Sequence, residues 1–163
     1  MIPDWMTSAP RPFDTVLVAN RGEIAVRVLR AAKESGLRGV AVYSDPDTGS
    51  LHVENADQAV HLPGTTLADT YLNGDAIIEA ARSTGAQAIH PGFGFLSERA
   101  DFANAVKAAG LIWIGPPADA IDTMGDKISA RRCMIESGVP VIPGEEISMG
   151  GDSDHLGVLA AAA

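Results

Sequence analysis

Residues 15–30 constrain the fold more strongly than any other stretch, because one regular pattern gives way to another across a tight turn. The apolar run Val16–Ala19 is short and rich in valine, which is typical of a strand buried on both faces. Asn20-Arg21-Gly22 interrupts this run, and from Glu23 onward the apolar residues recur with the period of a helix. A strand, a tight turn and an amphipathic helix in this order predict the start of a βαβ unit.

The first predicted helix has one apolar and one charged face. The stripe facing the sheet is expected to consist of Ile24, Val28 and Ala32, with Ala25 and Leu29 beside it.

On the charged face, Arg27, Arg30 and Glu34 follow one another at spacings that align them along the helix. Glu23 can reach Arg27 and Arg30 can reach Glu34, and each such pair is worth only about 0.2–0.5 kcal/mol. Spacing alone therefore favours a solvent-exposed face, and a polar subunit interface is the alternative.

The rest of the chain up to residue 124 repeats the alternation of strand and helix. Further strands are expected at 38–43, 58–62, 86–90 and 111–115. Helices are expected at 74–83, 102–109 and 118–124, with a short helical turn at 52–57. Five strands alternating with helices predict an α/β fold with a Rossmann-like parallel sheet covered on both faces.

Composition shifts suggest three segments. Residues 1–12 contain three prolines and no periodicity, and are expected to form a flexible arm before a domain at 13–124. The pattern changes at residue 125, where a helix to about Ser137 and a short strand within 138–144 are expected. Residues 145–154 are expected to form a loop, and 156–163 the start of a helix, so 125–163 reads as an incomplete second domain.

Composition also excludes several classes of protein. A formal net charge of −9 argues against nucleic-acid binding, which normally requires a basic patch. The single cysteine, Cys133, cannot form an internal disulfide and reads as a small core residue, which favours a reducing, cytoplasmic compartment. No secretory signal and no apolar run of roughly 20 residues is present, so a membrane protein is not expected.

The turn after the first strand lacks a nucleotide-binding fingerprint. A dinucleotide site needs three glycines there, and Gly22 is alone, so a nicotinamide or flavin dehydrogenase is excluded. Asp45 stands where such a site holds the ribose, but without the glycines that role is not favoured. Lys127 is followed by Ile128 and has no P-loop glycines upstream. Near a helix start Lys127 could still reach a phosphate, although an exposed surface lysine is the commoner case.

The segment His90–Glu98 is the second candidate for a site, because it follows the fourth strand. Ligands of open α/β sheets bind outside the carboxyl ends of the strands. Gly92 and Gly94 permit close backbone approach, and the phenylalanines beside them could wall a pocket. The alternative is a stiff packed turn in which Ser97 caps the next helix. His90 could act as a base, but a hydrogen-bonded structural histidine is the commoner case.

Three motifs together resemble the biotin carboxylases: VANRGEIAVR at 18–27, HPGFGFLSE at 90–98 and MGDK at 124–127. Their order and spacing agree with that family from about residue 14 to about residue 144. The resemblance implies the N-terminal domain of the biotin-containing alpha subunit of an acyl-CoA carboxylase, which is the first choice, or of pyruvate carboxylase. It also implies that 13–124 is the pre-ATP-grasp domain and 125–163 the start of an ATP-grasp domain.

The resemblance further implies an ATP-dependent ligase that uses bicarbonate to carboxylate biotin on a carrier domain, with ATP bound together with Mg²⁺ or Mn²⁺. Its implied partners are a second copy in a homodimer, the biotin carboxyl carrier domain and a carboxyltransferase subunit. Lys127 matches the lysine that contacts the ATP phosphates. Phe93 and Gly94 match positions on the biotin side of the pocket, with phenylalanine where the family often has tyrosine. Arg30 and Glu34 match the homodimer interface, which favours the interface interpretation of the charged face.

The resemblance also implies what this stretch does not contain. The family's ATP lid, metal-binding glutamates, bicarbonate-binding residues and biotinyl-lysine motif would lie beyond Ala163. No catalytic residue and no metal ligand is therefore expected within the 163 residues, and the polypeptide by itself is expected to be inactive. Two alternatives stay open: a noncatalytic assembly or dimerisation domain, and another ATP-grasp ligase of the carbamoyl-phosphate or purine pathways.

Overall fold

The computed structural model describes residues 11–142. The chain divides into two compact units, Met1–Gly125 and Asp126–Ala163. The predicted arm at 1–12 lies almost entirely outside the described residues, and the predicted loop at 145–154 and helix at 156–163 lie wholly outside them.

The first unit contains the predicted parallel sheet. Its five strands are β1 (Thr15–Val18), β2 (Arg38–Tyr43), β3 (Gln58–His61), β4 (Ala88–His90) and β5 (Ile112–Trp113). They are ordered β3-β2-β1-β4-β5, and every neighbouring pair is parallel. The prediction of an α/β parallel sheet is therefore confirmed. β5 is shorter than predicted, since it pairs only with β4 and Pro116-Pro117, soon after it, has no N–H to donate.

The helices of the first unit occupy the predicted connections. They are α1 (Gly22–Glu34), α2 (Leu51–Glu54), α3 (Gly74–Thr84), α4 (Ala100–Ala108) and α5 (Ala118–Gly125). Two short 3₁₀ turns, Asp45–Asp47 and Phe95–Glu98, follow β2 and β4.

The core forms on both faces of β1, because successive side chains of a strand point to opposite sides. Leu17 is fully buried in the larger cluster with Ile77 of α3 and Phe102 of α4. Val18 is fully buried in a smaller cluster with Leu29 of α1. Helices on both faces explain why this strand is a continuous apolar run rather than an alternating one.

The inward face of α1 differs from the predicted stripe. Ala25, Leu29 and Ala32 are buried, whereas Ile24 and Val28 are only half-buried. The helix has turned its small alanines toward the sheet, which lets its backbone come close. At the contact, Gly39 of β2 lies so near Leu29 that a Cβ on the glycine would be 2.7 Å from Leu29 Cδ2.

The second unit, over its described residues 126–142, contains helix α6 (Lys127–Glu136). Asp126 caps this helix, since its Oδ1 accepts a hydrogen bond of 2.7 Å from Ser129 N. The strand predicted within 138–144 is wrong for 139–142, which are irregular, and 143–144 lie outside the described residues. Pro140 has no N–H for a ladder, and Arg131 donates to the Ile142 carbonyl at 2.6 Å. Cys133 is half-buried rather than a core residue.

Candidate functional site

The carboxyl edge of the sheet brings the turn Asn20–Gly22 against the segment His90–Glu98. β1 and β4 are neighbours with Val18 in register with His90. Beyond the last pair, Ala19 N donates to the His90 carbonyl at 2.8 Å. The two segments that sequence alone singled out are thus joined at the edge where open α/β sheets bind ligands.

Asn20 makes most of this connection. The residue is 2% exposed, and its Nδ2 donates to the carbonyls of Pro91 at 2.8 Å and Phe93 at 3.0 Å. Its Oδ1 accepts from Arg21 N at 2.9 Å. Both amide hydrogens and the amide oxygen therefore have partners, and one buried side chain ties the turn to the loop.

The two glycines of the loop have different roles. Gly92 has φ +70°, and a Cβ there would lie 2.6 Å from Asn20 Nδ2, so the close approach predicted from the glycines is an approach to Asn20. Gly94 has φ +66°, and a Cβ there would meet nothing within 4 Å. Beside it, Phe93 is 72% exposed. The loop thus presents an aromatic ring and an open peptide to its surroundings.

His90 has the hydrogen-bonded structural role. Its Nδ1 accepts from Gly92 N at 3.0 Å, and burial lowers the pKa of its imidazole, so both the hydrogen bond and burial favour the neutral ring. With Nδ1 occupied, only Nε2 remains for another partner. His90 and Phe93 line a groove of about 370 Å³ with apolar residues of α1 and with Ile114. This volume lies within the range of about 300–1,000 Å³ that is usual for small-molecule sites.

Ser97 does not cap the next helix, although the packed-turn alternative for this segment had it in that role. It lies in the 3₁₀ turn Phe95–Glu98, and its N–H donates to the Gly94 carbonyl at 3.0 Å. α4 begins at Ala100, and its N-cap position is Arg99. One N–H group of the first turn is bonded by Asp101, whose Oδ1 accepts from Phe102 N at 2.9 Å.

A buried ionic network next to this edge was missed by sequence reasoning. Asp47 is 7% exposed and accepts from Arg21 Nε at 2.7 Å, from Arg21 Nη2, from Ser44 Oγ at 3.0 Å and from the Tyr71 hydroxyl at 2.6 Å. The hydrogen bonds from Arg21 outweigh the opposing effect of burial and lower the pKa of Asp47 to about 2. The hydrogen bond to Asp47 raises the pKa of Arg21. The pKa of Tyr71 is raised mainly by burial and, to a smaller extent, by its hydrogen bond to Asp47. The available signal was the Ser-Asp-Pro-Asp turn after β2, which ends at the same sheet edge as Arg21.

The network also touches the loop through Tyr71. The Tyr71 ring stacks on Phe95 with centroids 5.7 Å apart, and the guanidinium of Arg21 lies 5.7 Å from the Tyr71 centroid. Phe95 has φ +50°, an uncommon backbone conformation for a residue with a side chain. The stacking therefore supports a strained position directly after Gly94.

Asp45 has protein partners where a ribose would have to bind. Its carboxylate contacts His61 Nε2 at 2.5 Å and accepts from Gly64 N at 3.3 Å. The geometry adds no support to a dinucleotide site.

The residues matched to the interface lie on the outer face of α1. Arg30 Nε and Glu34 Oε1 are 4.0 Å apart, and their side chains are 71% and 73% exposed. Glu23 and Arg27, predicted to be within reach of each other, form no ion pair in the described part of the chain. A concavity of about 510 Å³ adjoins this face and includes Arg27, Arg30 and Asp47 in its lining.

Lys127 is the first residue of α6, and its side chain is exposed. It belongs to the second compact unit. Within residues 11–142, no three histidine, cysteine, aspartate or glutamate side chains converge as metal ligands would. None of the helices described in that range is long and apolar enough to cross a membrane.

Comparison with known proteins gives one family. The family model described as "Biotin carboxylase, N-terminal domain" matches residues 12–121. The mitochondrial methylcrotonoyl-CoA carboxylase subunit alpha of Oryza sativa subsp. japonica is 58% identical over 131 residues, which are 80% of this chain and 18% of that protein. The biotin carboxylase of Halalkalibacterium halodurans is 47% identical over 144 residues, 88% of this chain and 32% of that protein.

Among solved structures, the urea amidolyase of K. lactis superposes with a TM-score of 0.79 at 53% identity, over 82% of this chain and 8% of that one. The chain thus spans a third or less of the length of each of these three proteins.

Proposed function

The chain belongs to the biotin carboxylase N-terminal domain family, and we propose that it serves as the N-terminal part of a biotin carboxylase. In this proposal the complete enzyme is an ATP-dependent ligase that uses bicarbonate to carboxylate biotin on a carrier domain. The observation that carries the proposal is the family match over 12–121, which includes both segments that Asn20 joins at the sheet edge.

For the acceptor of the carboxyl group we propose an acyl-CoA. Support comes from the rice relative, whose name specifies methylcrotonoyl-CoA. The urea amidolyase of K. lactis contains a similar domain, although its name specifies urea. Domains of this kind therefore occur in enzymes with different acceptors. The choice of acceptor is accordingly assigned to the carboxyltransferase and not to residues of this chain.

Phe93 and Gly94 are proposed to face biotin. The exposed ring of Phe93 and the open peptide at Gly94 suit a compact ligand that combines an apolar ring with hydrogen-bonding groups. Phenylalanine also means that this chain offers the ligand an aromatic face without a hydroxyl group.

Lys127 is proposed to contact an ATP phosphate. Lys127 is exposed at the start of α6, so its ammonium group is accessible to a ligand. We assign no residue in 11–142 to the Mg²⁺ or Mn²⁺ that would accompany ATP, or to bicarbonate.

The domain organisation proposed is an arm at 1–12, a pre-ATP-grasp domain at 13–124 and the start of an ATP-grasp domain at 125–163. The boundary between the compact units, after Gly125, supports this division. The proposed compartment is the cytoplasm, and the proposed partners are the carrier domain, a carboxyltransferase and a second biotin carboxylase copy. The exposed Arg30 and Glu34, beside a concavity, support the last of these.

A hybrid enzyme tests the catalytic proposal. The 144-residue stretch of this chain would replace its counterpart in the biotin carboxylase of Halalkalibacterium halodurans. We expect biotin-dependent ATP hydrolysis, in the presence of bicarbonate, within about tenfold of the parent enzyme, which is a barrier change of about 1.4 kcal/mol. A folded hybrid without this activity would contradict the proposal. The 163-residue polypeptide by itself is expected to match the blank.

The assembly-domain alternative has its own observation, the exposed charged face of α1. A folded, inactive hybrid that still pairs with the parent biotin carboxylase in a pull-down would favour it. The family match disfavours the other alternative, a different ATP-grasp ligase. If the hybrid hydrolysed ATP independently of biotin, that alternative would be favoured again.

A further inference from the structure

We propose that Asn20 is a positioning residue that sets the orientation of the Phe93–Gly94 peptide. The glycine loop, residues 91–94, meets Asn20 at Gly92, where an added Cβ would have its three nearest heavy atoms in Asn20, at 2.6–2.9 Å. The hydrogen bonds from Asn20 Nδ2 to the carbonyls of Pro91 and Phe93 grip the loop on either side of Gly92.

Only an amide of this length meets the chemical requirements of the position. Both partners in the loop are carbonyl oxygens and need donors, whereas Arg21 N needs an acceptor. Asparagine supplies two donors and an acceptor from one short side chain, whereas an aspartate carboxylate supplies acceptors alone. Asn20 is 2% exposed and its bond to the Pro91 carbonyl is buried, so a lost donor there leaves a buried carbonyl without its partner.

Planarity of the peptide bond extends the effect of Asn20 to Gly94. The Phe93 carbonyl and the Gly94 N–H belong to one trans peptide, so they point in opposite directions. Because Asn20 holds the Phe93 oxygen toward the protein interior, the Gly94 N–H is held on the side away from Asn20. This step rests on the proposed function: the hydrogen bond from Asn20 fixes the orientation of the peptide that biotin would contact. Asn20 itself is too buried to touch the ligand.

The first test is on the 163-residue chain and does not depend on function. Backbone ¹⁵N relaxation would compare wild type with Asn20→Asp and with the milder Asn20→Ser, which keeps one donor. We expect the order parameters of Phe93 and Gly94 to fall from near 0.85, typical of rigid backbone, to below about 0.6.

Thr84→Val is the matched control, since it removes a buried hydroxyl that donates to Ala80 on α3, away from the loop. It should leave the order parameters of the glycine loop unchanged at a similar loss of stability. Unchanged order parameters in a folded Asn20→Ser, or an equal fall in Thr84→Val, would overturn the proposal.

The second test uses the hybrid enzyme. In Asn20→Ser we expect the KM for free biotin to rise about tenfold, the change that loss of one good hydrogen bond produces, with the KM for ATP nearly constant. Equal changes in both constants would refute a role in positioning the biotin side. If the hybrid is inactive while the loop loses order in Asn20→Ser, the positioning role holds and the proposed function fails.

Discussion

At the scale of single residues, Asp47 is the acceptor at the centre of a buried hydrogen-bond network. Its carboxylate is buried, and Arg21, Ser44 and Tyr71 all donate to it. Such a group depends on its partners, because a buried charge that loses them is costly. Arg21 is 45% exposed at its side chain, so the pair is weaker than a fully buried one.

The pH dependence of this carboxylate follows from its pKa. The native pKa of about 2 lies below the ordinary value of 3.8, so Asp47 stabilises the fold above about pH 4 and this stabilisation is lost as the pH falls through about 2. The shift corresponds to about 2 kcal/mol. Urea unfolding of Asp47→Asn should show a loss of that order at pH 7 and a smaller difference from wild type near pH 2.

Asp101→Asn is the control, because Asp101 also has a lowered pKa and an arginine partner but is exposed. It should change stability far less. Equal effects of the two substitutions at pH 7 would contradict the assignment of Asp47 as the stabilising carboxylate.

Lys127 gives a second prediction at this scale. A charge-assisted contact with phosphate is worth roughly 1.5–3 kcal/mol. Lys127→Gln in the hybrid enzyme should therefore weaken ATP binding by about tenfold or more, measured as a dissociation constant by calorimetry. Lys107→Gln, at an exposed lysine of α4, is the control and should leave it unchanged. If both variants have the ATP dissociation constant of the unsubstituted hybrid, Lys127 is an ordinary surface lysine.

At the scale of elements, the packing of α1 on β2 depends on the absence of a side chain at Gly39. Ala25 and Ala32 bring the helix close to the sheet, and Leu29 fills the space over the glycine. The contact explains why the buried stripe of α1 is rotated from the one that hydrophobic spacing predicts: the larger Ile24 and Val28 would hold the helix farther away.

Gly39→Ala should be destabilising, because its Cβ would overlap Leu29 Cδ2 inside a packed core. Overpacking of this kind costs roughly 1–3 kcal/mol. Gly125→Ala, at the end of α5 where an added Cβ meets nothing within 4 Å, should instead be neutral or slightly stabilising. Chemical denaturation of both variants measures the difference, and a stable Gly39→Ala would show that α1 can move outward at little cost.

At the scale of the whole molecule, the exposed face of α1 bears on assembly. The Arg30–Glu34 contact of 4.0 Å between two exposed side chains adds little to the stability of a monomer. Across a two-fold axis the same residues could meet their opposite charges on a second copy.

Arg30→Glu in the hybrid enzyme should then place like charges together and shift the equilibrium toward monomer, most clearly at low concentration. Sedimentation across a dilution series would measure the dimer dissociation constant. Arg82→Glu, the same charge change on the exposed surface of α3, should not alter it. Equal dimer dissociation constants for Arg30→Glu and the unsubstituted hybrid would show that this face is solvent-exposed and not an interface.

The sequence by itself determined the order of elements, the parallel sheet with helices on both faces, and the two loops at the sheet edge. These features can be predicted from apolar periodicity and glycine positions, because each depends on residues close together in the sequence. The sequence could also supply the family resemblance, because the three motifs keep their order and spacing.

Only the tertiary structure decided what those loops contact. The bonds of Asn20 to Pro91 and Phe93 join residues more than 70 positions apart, and those of Asp47 to Arg21 and Tyr71 join residues 26 and 24 apart. No local period records such contacts, since they arise when parallel strands bring their carboxyl ends to one edge. The rotation of α1 and the failure of Ser97 to cap α4 have the same origin: packing between elements overrides what each segment prefers alone.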